Sequence, residues 1–154
     1  MAQLLDTFGT ATALTITLSG ITNGAGRLAS QVDNTTTKAN KIFLTARIKS
    51  GGIAPTANTV YKFYLVRYDT HATAYASDGF GTSDAAVSTE PENSQLIGTI
   101  VVTATANKNF FGDFIILDPC PNWSIVFWNG SGQTISTTEA DHFIHFTTVI
   151  VNTV

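Results

Sequence analysis

The sequence predicts one all-β domain over residues 1–154, an antiparallel β-sandwich of about eight strands. Three features carry that reading. Short runs rich in β-branched and aromatic residues recur along the chain. Gly, Asn, Asp and Pro separate them at close intervals. Apolar residues show almost no helical period. Eight antiparallel strands with Gly/Asn turns fit a jelly roll or an immunoglobulin-like sandwich. The strand count and the single cysteine favour the jelly roll.

Along the chain, Leu14, Ile16 and Leu18 alternate with threonines, which places them on one face of a first strand. Gly20 and then Asn23-Gly24-Ala25-Gly26 break it. Residues 27–32 form a short second strand, and 42–48 a third that ends at Ser50-Gly51-Gly52. In 59–67 both alternating sets are largely apolar, as in a central strand covered on both faces. Residues 69–94, rich in Ser, Ala, Gly and Asp, read as a long loop, and loops of that length inside a compact domain usually have a function. Strands resume at 96–105 and 110–117. Asp118-Pro119-Cys120-Pro121-Asn122 is a stiff corner, because each proline fixes φ and removes a donor. Trp123 to Trp128 follows, turned by Asn129-Gly130-Ser131-Gly132, a hairpin signal. The last strand runs over 142–151, and its apolar end, 147–151, reads as an edge that needs covering.

Composition narrows the function classes. Hydrophobic residues make up 44%, enough for a full core, while charged residues are only 12%, about half the usual share. Threonine, about one residue in six, keeps strand faces wettable without charge. Such an exterior suits packing against copies or partners, since few charges need desolvating, and it equally suits an ordinary Thr-rich sandwich. The net charge is −3 and the eight basic residues are scattered, which argues against nucleic-acid binding. No apolar run approaches the ~20 residues of a membrane helix, so no membrane contact is expected. A basic leader followed by an apolar stretch is missing at the N-terminus, and synthesis in the cytoplasm is expected. Cys120 has no internal partner.

Candidate chemistry is sparse. His142 and His145 lie near Glu139 and Asp141, but strand residues three apart point to opposite faces and do not share an ion. Asp78-Gly79-Phe80-Gly81-Thr82-Ser83-Asp84 loosely resembles a calcium loop, without the alternating oxygen ligands or the closing glutamate. Asp113 and Asp118 fall on opposite faces, and nothing marks Glu139 or Asp141 for a raised pKa. The glycine-rich turns lack the Lys-Ser/Thr of a phosphate loop, and no nucleophile elbow is present. The Asn-x-Ser/Thr matches at Asn34, Asn122 and Asn129 are chance in so Thr-rich a chain. No catalytic residue, metal or cofactor is therefore expected. Trp123 and Trp128 lie five apart on one strand, so one should be core and the other outward, free to stack on a sugar or enter an interface. Tyr75 and Phe80 in the long loop, and Leu4, Leu5 and Phe8 near the N-terminus, are the other candidates for partner binding.

Several segments are similar to short proteins encoded among the structural genes of tailed bacteriophages. They are residues 13–18, the stretch from Arg27 to Asn34, Tyr64-Leu65-Val66-Arg67, Asp78-Gly79, Gln95-Leu96-Ile97-Gly98, residues 121–126 and the Asn129-Gly130-Ser131-Gly132 turn. The resemblance spans nearly the whole chain. It implies a virion component that decorates or cements the capsid by bridging major capsid subunits, commonly as a trimer. A tail or fibre module that binds carbohydrate or a receptor is the alternative. No catalytic residue carries over with the resemblance.

Overall fold

The computed structural model describes residues 4–69 and 76–153. It is half strand, and the described residues hold two single-turn 3-10 segments, Ser77–Gly79 and Glu139–Asp141. The strands are β1 (Leu4–Phe8), β2 (Thr12–Ala13), β3 (Ala25–Leu28), β4 (Val32–Asp33), β5 (Lys41–Lys49), β6 (Val60–Arg67), β7 (Ala85–Val87), β8 (Gln95–Val101), β9 (Asn109–Leu117), β10 (Asn122–Gly130) and β11 (Phe143–Thr153).

Their pairing is nested. β1 pairs with β11, β3 with β10, β5 with β9 and β6 with β8, all antiparallel. The eight long strands thus form one extended hairpin. Rolling it up brings β11 beside β5 and β10 beside β6. Two sheets result: a first in the order β1-β11-β5-β9, with β2 also on β11, and a second in the order β7-β3-β10-β6-β8, with β4 also on β10. Nested pairs rolled into two sheets are the double Greek key of a jelly roll.

Between the sheets lies the main core. Ile42, Leu44, Ala46 and Ile48, on one face of β5, meet Tyr61, Phe63, Leu65, Trp123, Ile125 and Phe127 from the second sheet. Aromatic rings dominate it, with Phe127 5.6 Å from both Tyr61 and Phe63, and Trp123 edge-on to Phe146 at 5.3 Å. At one side of the sandwich two glycines let β8 close on β9. A Cβ on Gly112 would lie 2.7 Å from Ile100, and one on Gly98 would run into the Phe114 ring.

Several local expectations change. Residues 14–18 keep their alternation, with Leu14 and Leu18 buried, but form no ladder. They cross between sheets: the Leu14 amide donates to Ile144 O at 2.9 Å, and Thr15 O accepts the Ser30 amide at 2.8 Å. A period of two records extension, and pairing is a separate matter. The expected strand at 27–32 is two pieces, β3 and β4, split where the chain binds that crossing segment. Asn129-Gly130-Ser131-Gly132 is not a hairpin, because β10 and β11 belong to different sheets. Asn129 is buried instead. Its Nδ2 donates to Ile21 O and Gln133 O, and its Oδ1 accepts from the Ser131 amide and hydroxyl. The apolar C-terminal strand is covered on both sides as far as Val149, by β1 and β2 on one side and β5 on the other, and only beyond Val149 is its β5 side without a strand.

Candidate functional site

The two outer faces of the sandwich differ, and the sequence order explains why. β6 and β10 carry a second apolar set on their outward side: Tyr64, Val66, Val126 and Trp128. Of residues 69–94, expected as a structureless loop, 70–75 lie outside the described residues, and 76–94 fold back over that set as a strap containing β7, which pairs with β3. Val87, Phe80 and Ala76 pack down from the strap onto Trp128 and its neighbours.

Three carboxylates fasten the strap. Asp84 takes the Arg27 guanidinium on both oxygens, with Nη2 to Oδ2 at 3.0 Å, and Oδ2 also accepts the Thr17 hydroxyl at 2.6 Å. Glu90 accepts Lys62 Nζ at 2.6 Å and the Tyr64 hydroxyl. Asp78, in the left-handed region at φ 59°, accepts the amides of Glu92 and Asn93 and the Ser94 hydroxyl. Burial disfavours the charge on each. The donors outweigh it, and all three carboxyl groups are held below their ordinary range. Burial and the neighbouring Glu90 push the Tyr64 phenol upward.

These contacts correct the expectation for the tryptophans. Trp123 and Trp128 do face opposite sides of β10, yet both are buried, with Trp128 only 6% exposed. An outward face of a sheet is not a solvent face when the same chain returns to cover it. Trp128 is therefore no exposed stacking platform. Phe80 is half-buried in the same cluster. Tyr75 and the side chain of Leu4 lie outside the described residues.

The outer face of the first sheet has no such cover among the described residues. Here Phe8 is 60% exposed, Phe111 62%, Ile115 55% and Leu117 62%. Register joins them: Leu117 lies across from Lys41, Ile115 from Phe43 and Phe111 from Arg47, and Phe8 stacks on Phe43 at 5.8 Å. The result is an apolar band running from the β9 edge to β1. One of its members, Phe8, is readable as a candidate in the sequence, whereas Leu5, three residues earlier on β1, points to the opposite face. Phe111, Ile115 and Leu117 are not, although the alternation Phe111-x-Asp113-x-Ile115-x-Leu117 is the signal that marks them.

The side chains of His142, Glu139, Asp141 and Cys120 are spent on structure. His142 is buried, its Nδ1 accepts the Lys49 amide at 3.3 Å, and its Nε2 meets Ser136 O at 2.9 Å. Burial lowers its pKa, so the neutral ring is the working form. His145, on the other face, stacks on Phe143. Glu139 receives the Leu18 and Ser19 amides, and Asp141 the Ser136 hydroxyl and Lys49 Nζ. The Ser136 and Lys49 donors hold Asp141 below the ordinary carboxylate range. The Cys120 thiol donates to Asn122 O at 2.6 Å. Among the described residues no three His, Cys, Asp or Glu side chains gather as a metal would require. A cleft of about 420 Å³ beside Lys49, Asn107, Gln133 and Asp141 is lined mostly by loop residues, three of them threonine.

No family model matches this chain, and no curated protein or solved structure matches it either.

Proposed function

We propose that this chain is a structural protein of a tailed-phage virion, seated on the outside of the capsid and bridging neighbouring major capsid subunits. The observation that carries the proposal is the asymmetry of the sandwich. The chain's own strap covers Trp128 and its neighbours on one outer face, and the other presents an uncovered band of Phe8, Phe111, Ile115 and Leu117. Contiguous apolar area of this kind on a poorly charged surface marks a contact with another macromolecule. Contacts that are modest one by one add up when repeated over a symmetric shell, because each bound copy stabilises only the assembled state. The family resemblance supplies the kind of shell.

Cryo-electron microscopy of the phage particle that carries this gene tests the proposal. Density for the sandwich on the head, with the β9 and β1 side turned toward capsid subunits, is the expected result. Density at the tail or fibre, or no copies in purified virions, overturns it.

A further inference from the structure

The four edges of the sandwich are not equally protected. In the second sheet β7 is three residues long, and β8 carries a register shift opposite Phe63 and Tyr64. In the first sheet one edge is divided between β1 and β2, which lie end to end on β11. The remaining edge, β9, is different. Its nine residues keep one unbroken register on β5, from Lys41 opposite Leu117 to Lys49 opposite Asn109. It contains no proline, no lysine and no inward-pointing charge. Those are the devices that normally keep a strand edge from pairing.

We propose that β9 is a self-association edge, where two copies of this chain pair β9 with β9 antiparallel about a two-fold axis through Phe114. The inference concerns the chain alone and goes beyond the capsid reading, which would survive a monomer.

Backbone parity supports it. At the two ends of the β5–β9 ladder the Asp118 amide donates to Asn40 O at 3.0 Å, and the Ser50 amide to Lys108 O at 2.9 Å. Even-numbered residues of β9 therefore hydrogen-bond to β5. The N–H and C=O groups of Phe111, Asp113, Ile115 and Leu117 alternate with them and point to the open side. An isologous pair satisfies these groups only if odd residues oppose odd residues. The register centred on Asp113 does so, but sets two carboxylates directly opposite each other, which is unfavourable. Moving the centre one residue to Phe114 keeps the parity and separates them. Phe111 then opposes the second copy's Leu117, and Asp113 opposes its Ile115, each pair occurring twice.

The full chain, followed by sedimentation velocity over a concentration series, should pass from 16.4 kDa to twice that mass. Amide hydrogen exchange at high concentration should protect Phe111, Asp113, Ile115 and Leu117, which exchange freely on dilution. Two variants read the register, and both change exposed side chains, so the fold is kept. Leu117→Lys should weaken association by about tenfold or more. Ile115→Lys should leave it unchanged or tighter, because the new ammonium faces the second copy's Asp113. A monomer up to about 1 mM overturns the proposal. So does a trimer, an oligomer whose odd β9 amides remain unprotected, or equal weakening by both lysines.

Discussion

Replacing Trp128 with alanine separates two descriptions of the same residue. Were it an outward stacking platform, the change would cost stability no more than a typical surface substitution, within about 0.5 kcal/mol. In the structure its indole is covered by the strap, beside Leu28, Tyr64, Val66, Val87 and Val126. Fit is close as well: a Cβ on Gly26 would come within 2.9 Å of the Trp128 ring. The indole contributes roughly 150–200 Å² of buried surface beyond an alanine stub. At about 25 cal/mol per Å² this corresponds to about 4–5 kcal/mol. Residual compactness of the unfolded chain reduces the figure to about 3–4 kcal/mol. That agrees with the range of about 3–5 kcal/mol for buried aromatic-to-alanine changes. Urea unfolding followed by the remaining Trp123 should show a lower midpoint at unchanged slope, and the thermal midpoint should fall by roughly 10 °C. A loss below about 1 kcal/mol would refute the reasoning, since it would mean the strap does not seal this face.

Other consequences follow from the polar anchors and the tight glycines. Asp84→Asn should cost about 1–3 kcal/mol by leaving Arg27 without its charged partner, measured by urea unfolding at neutral pH. Asp84, Asp78 and Glu90 have folded pKa values below their unfolded ones. Their contribution is complete above the ordinary carboxylate values of 3.8 and 4.5 and is lost as pH falls through the depressed values. Stability should therefore drop in acid, less steeply in the Asp84→Asn variant, and equal slopes would contradict the assignment. His142 is also depressed, from 6.5, so the unfolded chain takes up that proton first and stability should decline as pH falls below 6.5. NMR titration checks this, with His142 expected below 6.5 and a higher value refuting its neutral burial. Gly112→Val should destabilise by about 1–3 kcal/mol in thermal unfolding, because its side chain must displace Ile100 and Phe114 where β8 closes on β9. A neutral result would show that this corner can open.

The all-β class and the division into alternating strands were legible in the residues themselves. Period-two patterns in 42–48, 59–67 and 110–117 specify which side chains share a face, a local property of extended backbone that needs no partner. The stiff corner at Pro119 and Pro121 was legible for the same reason, as the proline rings set φ wherever they occur. Histidine separation, too, followed from strand geometry alone. Pairing could not be read, because any extended segment offers the same amides and carbonyls to every neighbour. Residues 14–18 look like a ladder strand and are a crossing, and 147–149 look like an edge and lie in the middle of a sheet. Nor could the sequence tell an outward face from an exposed one. Trp128 and Ile115 each point away from the main core, but only Trp128 meets a returning segment of its own chain, 76–94. Burial is a long-range outcome decided when the nested pairs roll up. That step covered one face of the sandwich, and it left β9 with its amides and its apolar side chains facing outward.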